Sequence, residues 1–161
     1  MNQGPEQSIH MTGEATVSGH VIVCGFGPIG RAVCEQATQQ SCPVVVVELN
    51  PATVERCQYM PQQIIEGDMT DPQTLRGAKI ETATALVITI PDEQVAIETC
   101  RVARQLRGDI FILVRATHLS KGMQPHQAGA NQVIINEIVT ATAMQQQLDT
   151  FLGDTPQASR S

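Results

Sequence analysis

The sequence predicts an α/β fold: a doubly wound, parallel, six-stranded sheet of order 3-2-1-4-5-6 with helices on both faces. Three observations predict it. A glycine-patterned turn, Gly25-Phe26-Gly27-Pro28-Ile29-Gly30, joins the apolar run 21–24 to a helix-compatible segment, in the order strand, tight turn, helix. A second apolar run, the four valines 44–47, closes on an acid, Glu48, about 20 positions downstream of the turn. Beyond it, short β-rich runs alternate with amphipathic segments over short connections, which requires right-handed crossovers and therefore parallel strands. Together these features specify a Rossmann-type fold.

Taken in order, residues 1–19 are polar and without period, too poor in apolar surface to order themselves, and read as a flexible leader or linker. The domain proper is expected over 20–152. Its first strand lies near 20–25, and its first helix near 28–40, with Ile29, Ala32, Val33 and Ala37 toward the sheet. In the turn, Gly25 lets the chain leave the strand sharply, and Gly27 removes a Cβ where a ligand must approach the backbone. Gly30 lets the helix pack close to the sheet, and Pro28 suits the first helical position. Strand 43–48 is a continuous valine run, as in parallel strands covered on both faces. Asn50-Pro51 opens a helix to about residue 59, by a cap followed by proline at the first position.

A third strand at 62–66 ends at Gly67-Asp68, and Asp71-Pro72 starts a short helix by the same device. The fourth strand is 84–90. Its helix, 92–107, places Val95, Ala96, Thr99, Cys100, Ala103 and Leu106 on one face, with Glu93, Glu98, Arg101, Arg104 and Arg107 mostly on the other. Strand 110–115 follows, then a weakly helical stretch, 118–128, that Gly122 and Pro125 interrupt and Gly129 ends. A short sixth strand, 132–135, leads to a last helix capped by Asn136 and running to about 150; residues 153–161 read as a polar tail.

Composition narrows the function classes. At 161 residues and 42% hydrophobic content the chain suits one domain with a sizeable core. A net charge of −6, no basic run, no Trp, one Tyr and three Phe leave nothing to track phosphates or stack bases, so nucleic acid is not an expected partner. Five cysteines without C-x-x-C spacing fall mostly in apolar segments and read as reduced core residues. No apolar stretch reaches the 18 or so residues of a membrane span.

In an open parallel sheet a ligand sits beyond the carboxyl ends of the strands, where the strand order reverses. The candidate binding residues are therefore Gly25, Phe26, Gly27, Pro28, Ile29 and Gly30 from the first strand end, and Glu48, Leu49 and Asn50 from the second. The third supplies Gly67, Asp68 and Met69, the fourth Thr89, Ile90 and Pro91, and the fifth Arg115. A carboxylate at Glu48 accepts hydrogen bonds from ribose hydroxyls and repels a 2′-phosphate, which favours NAD(H) or an adenosine nucleotide over NADP. Asp68 could accept the exocyclic amine of adenine or simply bond its own turn. Arg115 could meet a phosphate or pair with an acid such as Glu137. No catalytic residue and no metal site is expected. Tyr59 has no Lys partner, His118 and His126 lie in an irregular segment with no obvious carboxylate, and no nucleophile elbow occurs. The nucleotide fold consumes the ordered chain, leaving no substrate domain.

Five blocks of this chain resemble the RCK or TrkA-N (KTN) domain of potassium channels and transporters, including the glutathione-gated potassium-efflux antiporters. They are Val-Ile-Val-Cys-Gly-Phe-Gly-Pro-Ile-Gly-Arg from residue 21, Val-Val-Val-Val-Glu-Leu-Asn-Pro from 44, Ile-Glu-Gly-Asp-Met-Thr-Asp-Pro from 65, Ala-Leu-Val-Ile-Thr-Ile-Pro-Asp from 85, and Ala-Gly-Ala-Asn-Gln-Val-Ile from 128. The resemblance implies a non-enzymatic cytoplasmic regulatory domain that binds AMP, ADP or NAD(H), pairs as a homodimer and gates a membrane-embedded potassium channel or antiporter from the inner face of the membrane. Many members carry Arg where this chain has Pro28, which leaves open whether Arg31 or Arg115 replaces that phosphate contact. A small NAD-dependent oxidoreductase, or a fragment of one, is the alternative reading. In the last helix Ile138, Ala141, Met144, Leu148, Phe151 and Leu152 recur at helical spacing where little core remains, so the helix either pairs two chains or folds back on its own sheet.

Overall fold

The computed structural model describes residues 19–154; all of the expected leader but Gly19 and most of the expected tail lie outside the described residues. Each apolar run forms a strand: β1 (Val21–Cys24), β2 (Val44–Glu48), β3 (Gln63–Glu66), β4 (Ala85–Ile88), β5 (Phe111–Ala116) and β6 (Gln132–Ile135). All pair in parallel, in the order β3-β2-β1-β4-β5-β6. Central β1 is flanked residue by residue, Val21 by Val44 and Ala85, and Cys24 by Val47 and Ile88. The helices between are α1 (Pro28–Gln39), α2 (Pro51–Cys57), α3 (Pro72–Gly77), α4 (Glu93–Leu106), α5 (Met123–Gln127) and α6 (Asn136–Asp154). Two begin on the caps the sequence marks, Asn50 accepting from Ala52 N at 3.0 Å and Asp71 from Gln73 N at 2.8 Å, and Asp92 caps α4 in the same way, accepting from Val95 N at 3.0 Å. The last helix runs to Asp154, so Gly153 and Asp154 belong to it and not to the tail.

Alternation along the strands builds two cores. Ile22, Cys24, Val45, Val47, Leu86 and Ile88 face one way and pack with Leu75 of α3, Cys100 and Ala103 of α4 and the chain around α5. Val23, Val44 and Val46 face the other way, against Cys34 of α1 and Cys57 of α2. Burial pushes the Cys34 thiol up to about 11 and that of Cys100 to about 12, and raises Cys24 as well, so these thiols stay protonated. His20 is fully buried at the foot of the sheet, where its Nε2 meets the Ala78 carbonyl at 2.8 Å.

Two helices differ from expectation. The buried stripe of α1 is Gly30 and Cys34, with Val33 and Ala37 at its margin, while Ile29 is 41% exposed and Ala32 lies outward. Close contact at Gly30 fixes the rotation of the helix, and periodicity alone does not encode that contact. On α4, Ile97 and Val102 are buried too, because the helix touches α3 and α5 as well as the sheet. Arg104 and Arg107 are only partly exposed and spend their donors on backbone carbonyls. Arg104 donates to Gly129 O at 3.0 and 2.7 Å and to Ile110 O at 2.7 Å, and Arg107 donates to the carbonyls of Ile80 and Ala83. They tie together the loops at the amino ends of the strands.

Among the described residues, α1 and α2 alone cover their face of the sheet, over β1 to β3. On that side Leu113 and Ile134 line an open apolar groove of about 330 Å³ with Ile29, Val33 and Val139. Helix α6 does not close it, since none of its residues is buried and Met144, Leu148 and Phe151 are 57–69% exposed.

A Cβ added at Gly30 would drive into the Gly25 carbonyl and come within 3.0 Å of Thr89 Oγ1. Gly30→Ala should therefore destabilise the domain by about 1–3 kcal/mol, seen as a lower urea midpoint at unchanged slope. An unchanged midpoint would show that the turn and α1 can separate freely.

Candidate functional site

Beyond Cys24 the chain turns at Gly25, whose φ of +98° lies in the region that favours glycine. Thr89, just past β4, fastens the turn by donating its hydroxyl to Cys24 O at 3.0 Å and Gly25 O at 3.2 Å. Ile90 packs on it as well: its Cγ2 would lie 2.7 Å from a Cβ on Gly25. Protein packing thus explains Gly25 and Gly30. Gly27 differs, because a Cβ there would meet no protein atom within 4 Å; its bare side faces open space at the start of α1. No side chain caps that helix, so its first N–H groups and the positive end of its dipole are available to an anion.

Glu48 closes the other wall. Its Oε2 accepts from Phe26 N at 2.9 Å and its Oε1 from Asn50 N at 2.8 Å, which orients the carboxylate and leaves each oxygen further acceptor capacity. Between the walls lies a cleft of about 520 Å³ that brings together the predicted residues Phe26, Gly27, Pro28, Glu48 and Asn50. Arg31, left open above as a phosphate contact, also lines it, as do two residues not predicted for the site, Thr53 and Arg56. The Arg31 guanidinium sits 5.1 Å over the Phe26 ring and its Nε reaches Phe26 O at 3.4 Å. Arg56 donates to Ala52 O at 3.2 Å and to Thr53 Oγ1 at 3.3 Å. The available signals were positional: Arg31 directly follows the last glycine, and Arg56 lies one turn beyond Ala52 on the helix after Glu48.

The other predicted residues have mixed placements. Leu49 is 60% exposed beside Glu48, and Pro91 is exposed at the end of β4. Gly67 accommodates Thr74, which would lie 2.8 Å from a Cβ, and Met69 is buried in the core. Asp68 bonds its own turn, accepting from Thr70 N at 2.8 Å and Thr70 Oγ1 at 2.7 Å, and these bonds hold its carboxyl below the usual range. Ile29 and Arg115 line the apolar groove rather than this cleft. Arg115 does not pair with Glu137: it donates to Thr89 O at 3.2 Å and, with the Asn136 amide oriented to match, to Asn136 Oδ1 at 2.9 and 2.8 Å. Asn136 therefore serves Arg115, and Glu137 accepts from Leu119 N at 2.8 Å.

Glu93 provides the carboxylate that His118 lacked in the sequence. It accepts from the backbone of Thr117 and His118, contacts His118 Nδ1 at 3.3 Å and pairs with Lys121 at 3.1 Å. Desolvation works to raise its pKa, but the bonds from Lys121 and His118 outweigh it and hold the carboxyl below the usual range. This cluster fastens the loop after β5. Among the described residues, no group of His, Cys, Asp and Glu could hold a metal ion, and no helix is long and apolar enough to cross a membrane.

Residues 21–136 match the family model of the TrkA-N domain. A putative K(+) efflux antiporter KefB of Alkalimonas amylolytica is 34% identical over 71% of this chain and 17% of its own length. The TrkA-N domain of the inner membrane protein ybaL from Escherichia coli is 27% identical, with a TM-score of 0.78 over 83% of this chain and 98% of that one. The Shewanella denitrificans Kef CTD, solved in its AMP-bound form, shares the fold with a TM-score of 0.74 at 21% identity, over 84% of this chain and 82% of that one. The chain spans about a sixth to a little over a third of the length of the curated relatives it matches first. With the sheet order, the glycine turn and the acid at the end of β2 all in place, the match over 21–136 establishes that this chain belongs to the TrkA-N domain family.

Proposed function

We propose that the cleft binds AMP, ADP or NAD(H), and that the domain regulates potassium or cation/proton transport from the cytoplasmic face of the membrane through a transporter or channel, in the same chain or a partner subunit. One observation carries the binding reading: the bond from Phe26 N to Glu48 joins the glycine turn to the ribose acid in a single cleft. In that arrangement Gly27 and the first N–H groups of α1 hold the 5′-phosphate, and Glu48 accepts from the ribose hydroxyls. The backbone at Leu49 and at Asp68-Met69 flanks the adenine. The AMP-bound relative of the same fold supports this choice of ligand, and the antiporter relatives support the transport role.

Binding without turnover fits the side chains of the cleft. Its titratable groups are Glu48, Arg31 and Arg56, and Glu48 is held by two backbone donors rather than poised against a reacting atom. A nicotinamide cofactor, when bound, brings hydride chemistry, yet this cleft offers no acid or base beside the β4 side of the sheet where a carbonyl would lie.

We further infer that the chain pairs as a homodimer. An open apolar groove and a helix with no buried residue occur in one chain, and a second copy would cover both. A ligand that favours one relative orientation of the two copies would then bias the pair, whereas one that bound both equally would shift nothing.

Three measurements test this reading. Glu48→Ala removes bonds to a charged acceptor and should weaken AMP and NADH by about 1.5–3 kcal/mol in calorimetry, roughly 10- to 150-fold, with the thermal midpoint recorded as the folding control. Equal affinities would remove Glu48 from the ribose. NADH absorbance should stay constant with alcohols, aldehydes and 2-oxo acids at protein levels where a turnover of about 10 per second would be obvious; a reproducible, Glu48-dependent oxidation would favour the oxidoreductase. Light scattering should give a dimer that Met144→Glu with Leu148→Glu dissolves while nucleotide binding persists. A monomeric unmutated chain would end the dimer reading.

A further inference from the structure

The cleft carries more positive charge than its ribose acid calls for. Arg31 and Arg56 both line it, on the α1 and α2 walls, and neither makes an ion pair among the described residues. In a chain of net charge −6, two unpaired guanidinium groups converge on the pocket that holds Glu48. Each is oriented by its own bonds, Arg31 by the Phe26 ring and carbonyl and Arg56 by Ala52 O and Thr53 Oγ1, so little ordering cost remains for gripping an anion.

Their position says which anion. The lining comes from the glycine turn, α1, the end of β2 and α2, with no residue from the end of β4. The arginines therefore stand on the α1 and α2 walls, on the β2 side of the cleft, Arg31 next to the glycine turn and Arg56 on the helix after Glu48, away from the end of β4 where a pyrophosphate crosses the switch point. An acid at the end of β2 by itself disfavours a ribose phosphate, whereas an arginine nearby accommodates one. Here both are present, and the Glu48 oxygens are drawn onto Phe26 N and Asn50 N, which offset part of their charge.

We propose that Arg31 and Arg56 form a subsite for a second phosphate, esterified to a ribose hydroxyl of the bound adenine nucleotide. The site then takes ribose-phosphorylated ligands alongside AMP and NAD(H). This rests on the nucleotide reading above, and sequence reasoning from Glu48 alone points the other way.

The test compares AMP with adenosine 2′,5′-bisphosphate and adenosine 3′,5′-bisphosphate, at low ionic strength so that screening does not mask the effect. The three share adenine and the 5′-phosphate, and the two bisphosphates separate the 2′ from the 3′ source. Arg31→Gln and Arg56→Gln remove one charge each at near-constant size. The expected result is that one bisphosphate binds the unmutated chain at least as tightly as AMP, and that the ratio of its affinity to AMP's falls tenfold or more in each variant. NADPH against NADH should follow the same ratio if the 2′ position is the one read. A smaller change in ratio overturns the subsite, including the case in which both ligands weaken together because the arginines serve the 5′-phosphate. Failure of AMP itself to bind the unmutated chain would instead overturn the underlying nucleotide reading, and the subsite with it.

Discussion

The contact between Gly30 and the Gly25 carbonyl sets the geometry on which the rest of the molecule depends. It has room for no Cβ, so α1 lies directly against the turn that ends β1. That closeness rotates Gly30 and Cys34 inward and aims the amino end of α1 across the top of the sheet. Thr89 secures the same turn from β4 by two hydrogen bonds, so the reversal point of the sheet is held from both sides. The site is therefore a consequence of packing: an uncapped helix end and an open Gly27 are left where the main chain has no freedom to move away.

Glu48 shows how one residue can serve fold and site together. Its carboxylate satisfies the N–H of Phe26, which the turn leaves outside any ladder, and the N–H of Asn50, which precedes α2. It thereby braces the cleft while keeping lone pairs for a ligand. Asp68 behaves differently, since its bonds close on Thr70 within its own turn. The same residue type at two neighbouring strand ends thus acts as a wall of the cleft in one case and as a local turn former in the other.

The two faces of the sheet are covered unequally. On the α4 side, helices cover β1, β4 and β5 and the core is continuous. On the α1 side, helices stop short of β5 and β6, leaving an apolar groove whose polar rim is Arg115, Asn136 and Thr140. The loop after β5 is meanwhile fastened by Glu93 and Glu137, carboxylates from α4 and α6. The bond from Leu119 N to Glu137 thereby ties this loop to the first turn of α6.

The strands, their order, the caps at Asn50 and Asp71 and the pairing of the glycine turn with Glu48 were legible in the sequence alone. Period, turn chemistry and capping act over a few residues, and strict alternation leaves one handedness for the crossovers. The apolar runs likewise marked most of the cysteines as core, and the structure buries Cys24, Cys34, Cys57 and Cys100 while leaving Cys42 partly exposed. What only the tertiary structure decided depends on distances between residues far apart in the chain. The rotation of α1 follows from one glycine contact, and the inward reach of Arg104 and Arg107 follows from carbonyls that the loops at Gly129 and Ala83 happen to present. The carboxylate partner of His118 is 25 residues away, and Arg115 is drawn to Asn136 instead of the cleft at Glu48. Arg31 and Arg56 become neighbours of Glu48 only when α1 and α2 lie side by side on the sheet. Local pattern specifies which face of an element is apolar; which charged side chain meets which partner is fixed by packing, since a long flexible side chain carries no period of its own.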